Sequence, residues 1–81
     1  MHRVLVGESE VLGRKSAYYL LVDTAESIGH YGVEIVWGIE RSAVYDLAVS
    51  GGRVLQFAQQ LLRCAVTPMA LRDVADDWLL C

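Results

Sequence analysis

The sequence has few of the residues from which catalytic and metal sites are built. Its 81 residues include two histidines, two cysteines and one proline. Cys64 and Cys81 are too far apart in the chain to form a zinc-binding pair. Neither His2 nor His30 lies in a recognisable Cys–His arrangement. We therefore expect no catalytic residue, no metal and no cofactor, and we expect that the protein is not an enzyme.

Long apolar segments and an excess of positive charge are also missing. The longest uninterrupted apolar run is 17–22, far short of the ~20 residues that a membrane-spanning helix needs. Residues 4–6 are too few for the core of a signal peptide. The net charge of −3 gives no basic surface for nucleic acid or anionic lipid. We expect a cytoplasmic protein that binds neither nucleic acid nor membrane.

Apolar residues, in contrast, are abundant: they make up 54% of the chain, whereas charged residues make up 21%. A single domain spanning residues 1–81 buries only about 60–65% of the surface that its unfolded chain exposes. Some of the apolar surface is therefore expected to remain for a protein partner or for a second copy of the chain.

Alternation of apolar and small or polar residues predicts three β-strands at about 16–24, 31–39 and 43–49. Residues 3–6 are compatible with a short fourth strand. The polar, glycine-containing stretch 8–14 favours a turn. Further turns are predicted at 26–30 and 40–42, which makes the strands an antiparallel meander.

After Ser50 the apolar period changes from two to 3.6, which predicts helices at about 51–65 and 68–80. Ser50 and Thr67 are the expected N-cap residues, and Pro68 suits the first helical position. The short connection at 66–68 makes the two helices a hairpin. The fold class is α+β, with the meander packed against a C-terminal helical hairpin whose apolar stripe includes Trp78.

Three segments resemble a known family: Tyr31 to Ile35, the passage from strand to helix at Ser50, and the ending Thr67-Pro68-x-x-Leu71-x-Asp73-Val74-x-x-Asp77-Trp78-Leu79. The chain is similar over roughly 15–80 to short bacterial proteins, common in clostridia, that are known only as a domain of unknown function. The resemblance implies a cytosolic bacterial protein and supplies no activity. Ala70 stands where family members often have a histidine.

Three further groups of residues suggest chemistry less strongly. Asp73, Asp76 and Asp77 are oxygen donors for a cation, but one helix face presents only part of the set, so a solvated face is the simpler interpretation. Their charge near a helix C-terminus calls for a nearby arginine, Arg3 or Arg41. The helix start Ser50-Gly51-Gly52-Arg53 could bind an anion, although a tight turn explains its glycines. Cys64 could be a nucleophile, although a buried or half-buried thiol is the simpler interpretation.

The most informative asymmetry lies in the predicted sheet. If Val33, Ile35 and Tyr45 face the helices, the opposite face carries an apolar centre with an acidic rim, as interaction surfaces do. The centre consists of Tyr19, Leu21, Val36 and Val44, and the rim of Asp23, Glu34, Glu40 and Asp46.

Two functions follow from this pattern. The first is a small non-catalytic interaction or regulatory module that self-associates by pairing two such faces. A different protein partner, or coverage of the face by residues 1–14, would account for the same pattern. The second is a small-ligand-binding or catalytic domain with a pocket between sheet and helices near Trp37 and Trp78.

Overall fold

The computed structural model describes residues 2–23, 30–48 and 50–80. They form four strands, two α-helices and a short 3-10 turn: β1 His2–Val11, β2 Arg14–Asp23, β3 His30–Trp37, β4 Glu40–Ala48, α1 Gly51–Arg63, the 3-10 turn Pro68–Ala70 and α2 Leu71–Leu80. The strands form one antiparallel sheet in the order β1-β2-β3-β4. The predicted α+β fold, a meander followed by two helices, is confirmed.

The N-terminal region is the first correction, since β1 is ten residues long and not a strand confined to 3–6. The polar stretch predicted as a turn continues this strand to Val11. A two-residue turn follows, with φ of 51° at Leu12 and 78° at Gly13, as in the hairpin turns that match strand twist. The stretch is polar because β1 is an edge strand, and edge strands commonly carry charged residues.

The connection between β3 and β4 is the second correction. The predicted strand 31–39 ends at Trp37, and Gly38 and Ile39 form the turn. Gly38 has a φ of 61°, which glycine adopts without strain. Ile39 is 98% exposed at the tip. β4 therefore begins at Glu40, before the predicted start at 43. Of the turn predicted at 26–30, residues 26–29 lie outside the described part, and His30 is the first residue of β3.

A register shift in β4 changes which residues face the helices. Val33 pairs with Val44, but Tyr31 pairs with Ala48, so three residues of β4 stand opposite Gly32. Any side chain at Gly32 would collide with the Val44 carbonyl group. Tyr45, predicted to face the helices, is consequently 55% exposed.

The hydrophobic core lies between one face of the sheet and the two helices. Its buried members include Tyr18, Val33, Ile35, Leu47, Val54, Phe57, Ala58, Leu61, Leu71 and Ala75. The hydroxyl group of Tyr18 donates a hydrogen bond of 2.9 Å to the carbonyl oxygen of Val66. This bond attaches the connection between the helices to the middle of the sheet.

The predicted helix starts differ in outcome. The Ser50 hydroxyl accepts a hydrogen bond from the Arg53 N–H at 3.4 Å, as expected of an N-cap. Thr67 makes no side-chain capping bond, and the wrong prediction is explained by the 3-10 turn that begins at Pro68. There the Thr67 carbonyl oxygen accepts the hydrogen bond, from Ala70 at 3.1 Å.

Helix α1 ends earlier than predicted, in a Schellman motif. Ala65 has a φ of 51°. The N–H of Ala65 donates a hydrogen bond to the carbonyl oxygen of Leu62 at 3.2 Å. The N–H of Val66 donates a hydrogen bond to the carbonyl oxygen of Leu61 at 3.1 Å. Glycine is the usual residue at this left-handed position because it lacks a Cβ.

We expect Ala65→Gly to stabilise the protein by about 0.5–1 kcal/mol, because it relieves the left-handed strain of a residue with a Cβ. Urea unfolding measures the change. Ala58→Gly is the matched control: Ala58 is buried within α1, and the same substitution should destabilise there by about 1 kcal/mol. A loss of stability in Ala65→Gly would contradict the capping role.

Trp78 of α2 packs against the core and stacks on Phe57, with ring centroids 4.8 Å apart and an interplanar angle of 21°. We expect Trp78→Ala to cost about 3 kcal/mol, the low end for a large aromatic residue, because Trp78 is only half-buried. Leu55→Ala, on the outer surface of α1, should cost less than about 1 kcal/mol. A wild-type melting temperature for the Trp78 variant would place this residue outside the folding core.

Candidate functional site

The side of the sheet turned away from the helices presents three rows of residues in register, which we call the open face. The first row is Leu5, Tyr19, Glu34 and Ala43; the second is Glu8, Ala17, Val36 and Arg41; the third is Arg3, Leu21 and Gly32. The first and second rows each cross all four strands.

A buried carboxylate lies at the centre of the open face. Glu34 is 3% exposed, and each of its oxygens has an arginine partner. Arg3 donates to Oε1 at 3.0 Å, and Arg41 donates to Oε2 at 2.9 Å. A buried carboxylate is costly unless it is paired and hydrogen-bonded, and here both oxygens are satisfied.

Four residues in contact, which we call the Glu34 cluster, connect every strand of the sheet: Arg3, Tyr19, Glu34 and Arg41. Arg3 begins on β1, and its guanidinium lies 4.2 Å from the centre of the Tyr19 ring on β2 before it reaches Glu34 on β3. Arg41 reaches the same carboxylate from β4. The hydrogen bond to Glu34 raises the pKa of Arg3 above its usual value. Arginine is a cation at physiological pH, and the guanidinium carbon of Arg3 lies over the aromatic ring of Tyr19.

The predicted interaction residues do not all lie together. Tyr19, Leu21 and Val36 share the open face, whereas Val44 pairs with Val33 and packs against the core. The prediction for Val44 is wrong because it assumed that β4 alternates without a register shift. Leu21 is on the expected face but is only 5% exposed.

The acidic rim also needs correction. Glu34 lies at the centre and is buried, and Glu40 pairs with Trp37, whose row faces the helices. Asp23 follows Leu21 on the same face of β2, and the side chain of Asp46 lies outside the described part. Arg3 and Arg41, expected near the aspartates of α2, contact Glu34 instead. The open face is thus nearly balanced in charge.

The Glu34 cluster is the feature that the sequence interpretation missed. The sequence signal for this cluster is the position of its charged residues: Arg3 and Glu34 lie in predicted strands, and Arg41 lies in the turn predicted directly before one. Placing them together also required the register of all four strands, including the shift between Leu5 and Gly7.

The remaining candidate residues are separate from this cluster. Cys64 follows the last turn of α1 and is exposed, which corrects the expected buried or half-buried thiol. Asp73, Asp76 and Asp77 are exposed on α2. Among residues 2–23, 30–48 and 50–80, no group of three or more His, Cys, Asp or Glu could hold a metal ion. At the start of α1, the Tyr31 ring packs so closely that Gly51 has no room for a side chain.

Among the described residues, the two tryptophans have different neighbours. The Trp37 indole N–H donates to the Val11 carbonyl oxygen at 3.1 Å, and the Arg14 guanidinium lies 4.1 Å from the ring centre. Trp78 lines a cleft of about 340 Å³ on the helices, together with Phe57, Gln60, Val74 and Asp77. The tryptophans therefore belong to two different regions of the molecule.

Comparison with known proteins identifies the family. Residues 3–80 match the family of unknown function DUF6514, and the chain belongs to that family. The match includes β1, which the sequence resemblance did not. No curated protein matches the chain, and no solved structure does. Neither α1 nor α2 is long and apolar enough to cross a lipid bilayer.

We expect Glu34→Gln to destabilise the protein by about 2 kcal/mol. The amide is uncharged, and its NH₂ group has a guanidinium donor facing it, which leaves a buried donor unsatisfied. We discount the charge effect because the side chains of Arg3 and Arg41 are 49% and 68% exposed. Urea unfolding measures the change in the free energy of unfolding. Glu40→Gln, at an exposed position, is the control, and its stability should lie within about 0.5 kcal/mol of wild type. Equal effects of the two substitutions would show that the cluster does not stabilise the sheet.

Proposed function

We propose that the protein is a non-catalytic interaction or regulatory module that self-associates or binds a protein partner through the open face. The proposal depends chiefly on one observation: apolar side chains surround an arginine pair on a sheet face that the described helices do not cover. Leu5 is 52% exposed, and Tyr19 and Val36 are half-buried.

The composition of the open face supports recognition of a protein. Tyrosine and arginine are enriched in protein interfaces, and apolar centres exclude water there. Glu34 holds both guanidiniums in place. This reduces the loss of side-chain conformational entropy when a partner binds. Among the described residues each guanidinium makes one hydrogen bond, so it keeps donors for a partner.

The charge distribution supports self-association in particular. An acidic rim would make two copies of the face repel each other. With Glu34 neutralised by two arginines, and with Glu8 lying 3.9 Å from Lys15, the face has cations and anions in similar number. Two copies related by a two-fold axis can then place opposite charges together.

A second function remains a candidate because of the cleft at Phe57 and Trp78. It is about 340 Å³ in volume, within the range of small-ligand sites, and Gln60 and Asp77 add polar groups to its aromatic lining. A small-ligand-binding or catalytic domain would use this cleft. The chain's low content of histidine and cysteine makes this the weaker proposal.

The setting is part of the proposal too. The net charge of −3 supports a partner other than nucleic acid or membrane. A cytoplasmic location and a bacterial source fit the same proposal, and fractionation of the native host tests the location.

We expect Val36→Glu to halve the mass of the assembly in solution, because it puts a charge in the apolar part of the open face. Size exclusion with light scattering at micromolar concentration measures the mass. Gln56→Glu, on the exposed surface of α1, adds the same charge elsewhere and should leave the mass unchanged. Circular dichroism verifies that both variants fold. A folded Val36 variant with wild-type mass would remove the open face from self-association.

A further inference from the structure

The outer edge of β1 is a second surface with the properties of an interface. Within the described residues, β2 is the only neighbour of β1 in the sheet. An edge strand directs unpaired backbone N–H and C=O groups outward, ready to pair with another strand. Two of the exposed large apolar residues, Val4 at 50% and Leu5 at 52%, lie on this strand.

The other edge of the sheet is less suitable for strand pairing. β4 has the register shift opposite Gly32. Helix α2 also lies close beside it, since Arg72 and Ala75 share a small cleft with Val44 and Tyr45. β1 also has a register shift, but it amounts to one extra residue at the centre of the strand.

The irregularity of β1 lies at the centre of the strand. The register with β2 shifts by one residue between Leu5 and Gly7. Before the shift, odd-numbered residues are on the open face, because Arg3 and Leu5 pair with Leu21 and Tyr19. After the shift, even-numbered residues are on it, because Glu8 and Glu10 pair with Ala17 and Lys15. Residues at equal distances on either side of the strand's midpoint therefore lie on the same face of the sheet: Arg3 and Glu10, and likewise Leu5 and Glu8.

This symmetry makes β1 complementary to itself. When two copies run antiparallel about the point between Val6 and Gly7, Arg3 of one lies opposite Glu10 of the other, and Leu5 lies opposite Glu8. Each of these pairs has both members on the open face, as directly opposed residues in a sheet must. Val4 likewise meets Ser9 on the helix side. Two Arg3–Glu10 pairs of opposite charge result, one on each side of the two-fold axis.

From this register we infer that β1 pairs antiparallel with β1 of a second copy, with Arg3 of each chain opposite Glu10 of the other. The inference rests on the proposed self-association and names one of its interfaces. The two sheets become one continuous sheet, and both open faces lie on the same side of it. Face-to-face pairing of two such dimers would give a four-chain assembly with two kinds of two-fold interface.

Cysteine cross-linking tests the register directly. In a Cys64→Ser, Cys81→Ser background, Leu5→Cys with Glu8→Cys places two thiols opposite each other across the axis, at a distance that a disulfide spans. Mild oxidation should convert most of this variant to a covalent dimer. Leu5→Cys with Glu10→Cys displaces one thiol by two residues and should cross-link little. Equal cross-linking of the two variants, or none in either, would overturn the inference.

Solution mass separates this interface from the open face. We expect four chains for wild type, two for Val36→Glu, and one when Glu10→Arg is added. Glu10→Arg opposes Arg3 with a like charge and should raise the dissociation constant of the edge dimer roughly tenfold or more. Glu40→Arg is the control at an exposed position and should change nothing.

Each other result decides between the two surfaces. A dimeric wild type that Val36→Glu makes monomeric keeps the open-face proposal and overturns the edge inference. A dimeric wild type that Glu10→Arg alone makes monomeric keeps the edge inference and excludes self-association through the open face. A 9.0 kDa species for wild type at high micromolar concentration overturns the edge inference and self-association through the open face.

Discussion

The buried carboxylate of Glu34 is the constraint on which the open side of the sheet depends. A charge removed from water costs several kcal/mol unless its partners are in place. These partners come from the two edge strands, Arg3 from β1 and Arg41 from β4. A slip of either edge strand by one residue would turn its arginine to the helix side and leave one oxygen of the buried carboxylate without its partner. The cluster therefore selects one register for the whole sheet.

The two sides of the sheet are stabilised by different physical means. On the helix side, apolar packing closes the core, and the Tyr18 hydroxyl donates a hydrogen bond to Val66 in the connection between the two helices. On the open side, ion pairs to Glu34 and a cation–π contact between Arg3 and Tyr19 connect the side chains. A surface ordered in this way needs no covering element, and it stays accessible to a partner without unfolding.

The sequence predicted what is local and missed what depends on pairing. Strands and helices could be predicted because their periods of two and 3.6 are visible within ten residues. Apolar alternation underestimates the length of β1, because an exposed edge strand lacks that pattern. Strict alternation also puts Val44 on the wrong face, because the register shift opposite Gly32 has no local signature. The Glu34 cluster joins residues 31 positions apart, Arg3 and Glu34, so it became visible only with the register of three strand pairs.

The extra residue in β1, Val6, affects the packing of the core and the geometry of both candidate surfaces. If β1 alternated without a shift, Arg3 on the open face would put Glu8 and Glu10 on the helix side. Two carboxylates would then face the apolar core, and Gly7 would not lie beneath Leu62, where a side chain would collide with it. The shift instead keeps all three charged residues on the open face. The same single residue thus permits the packing of α1, the contact of Arg3 with Glu34, and the symmetry of the strand about its centre.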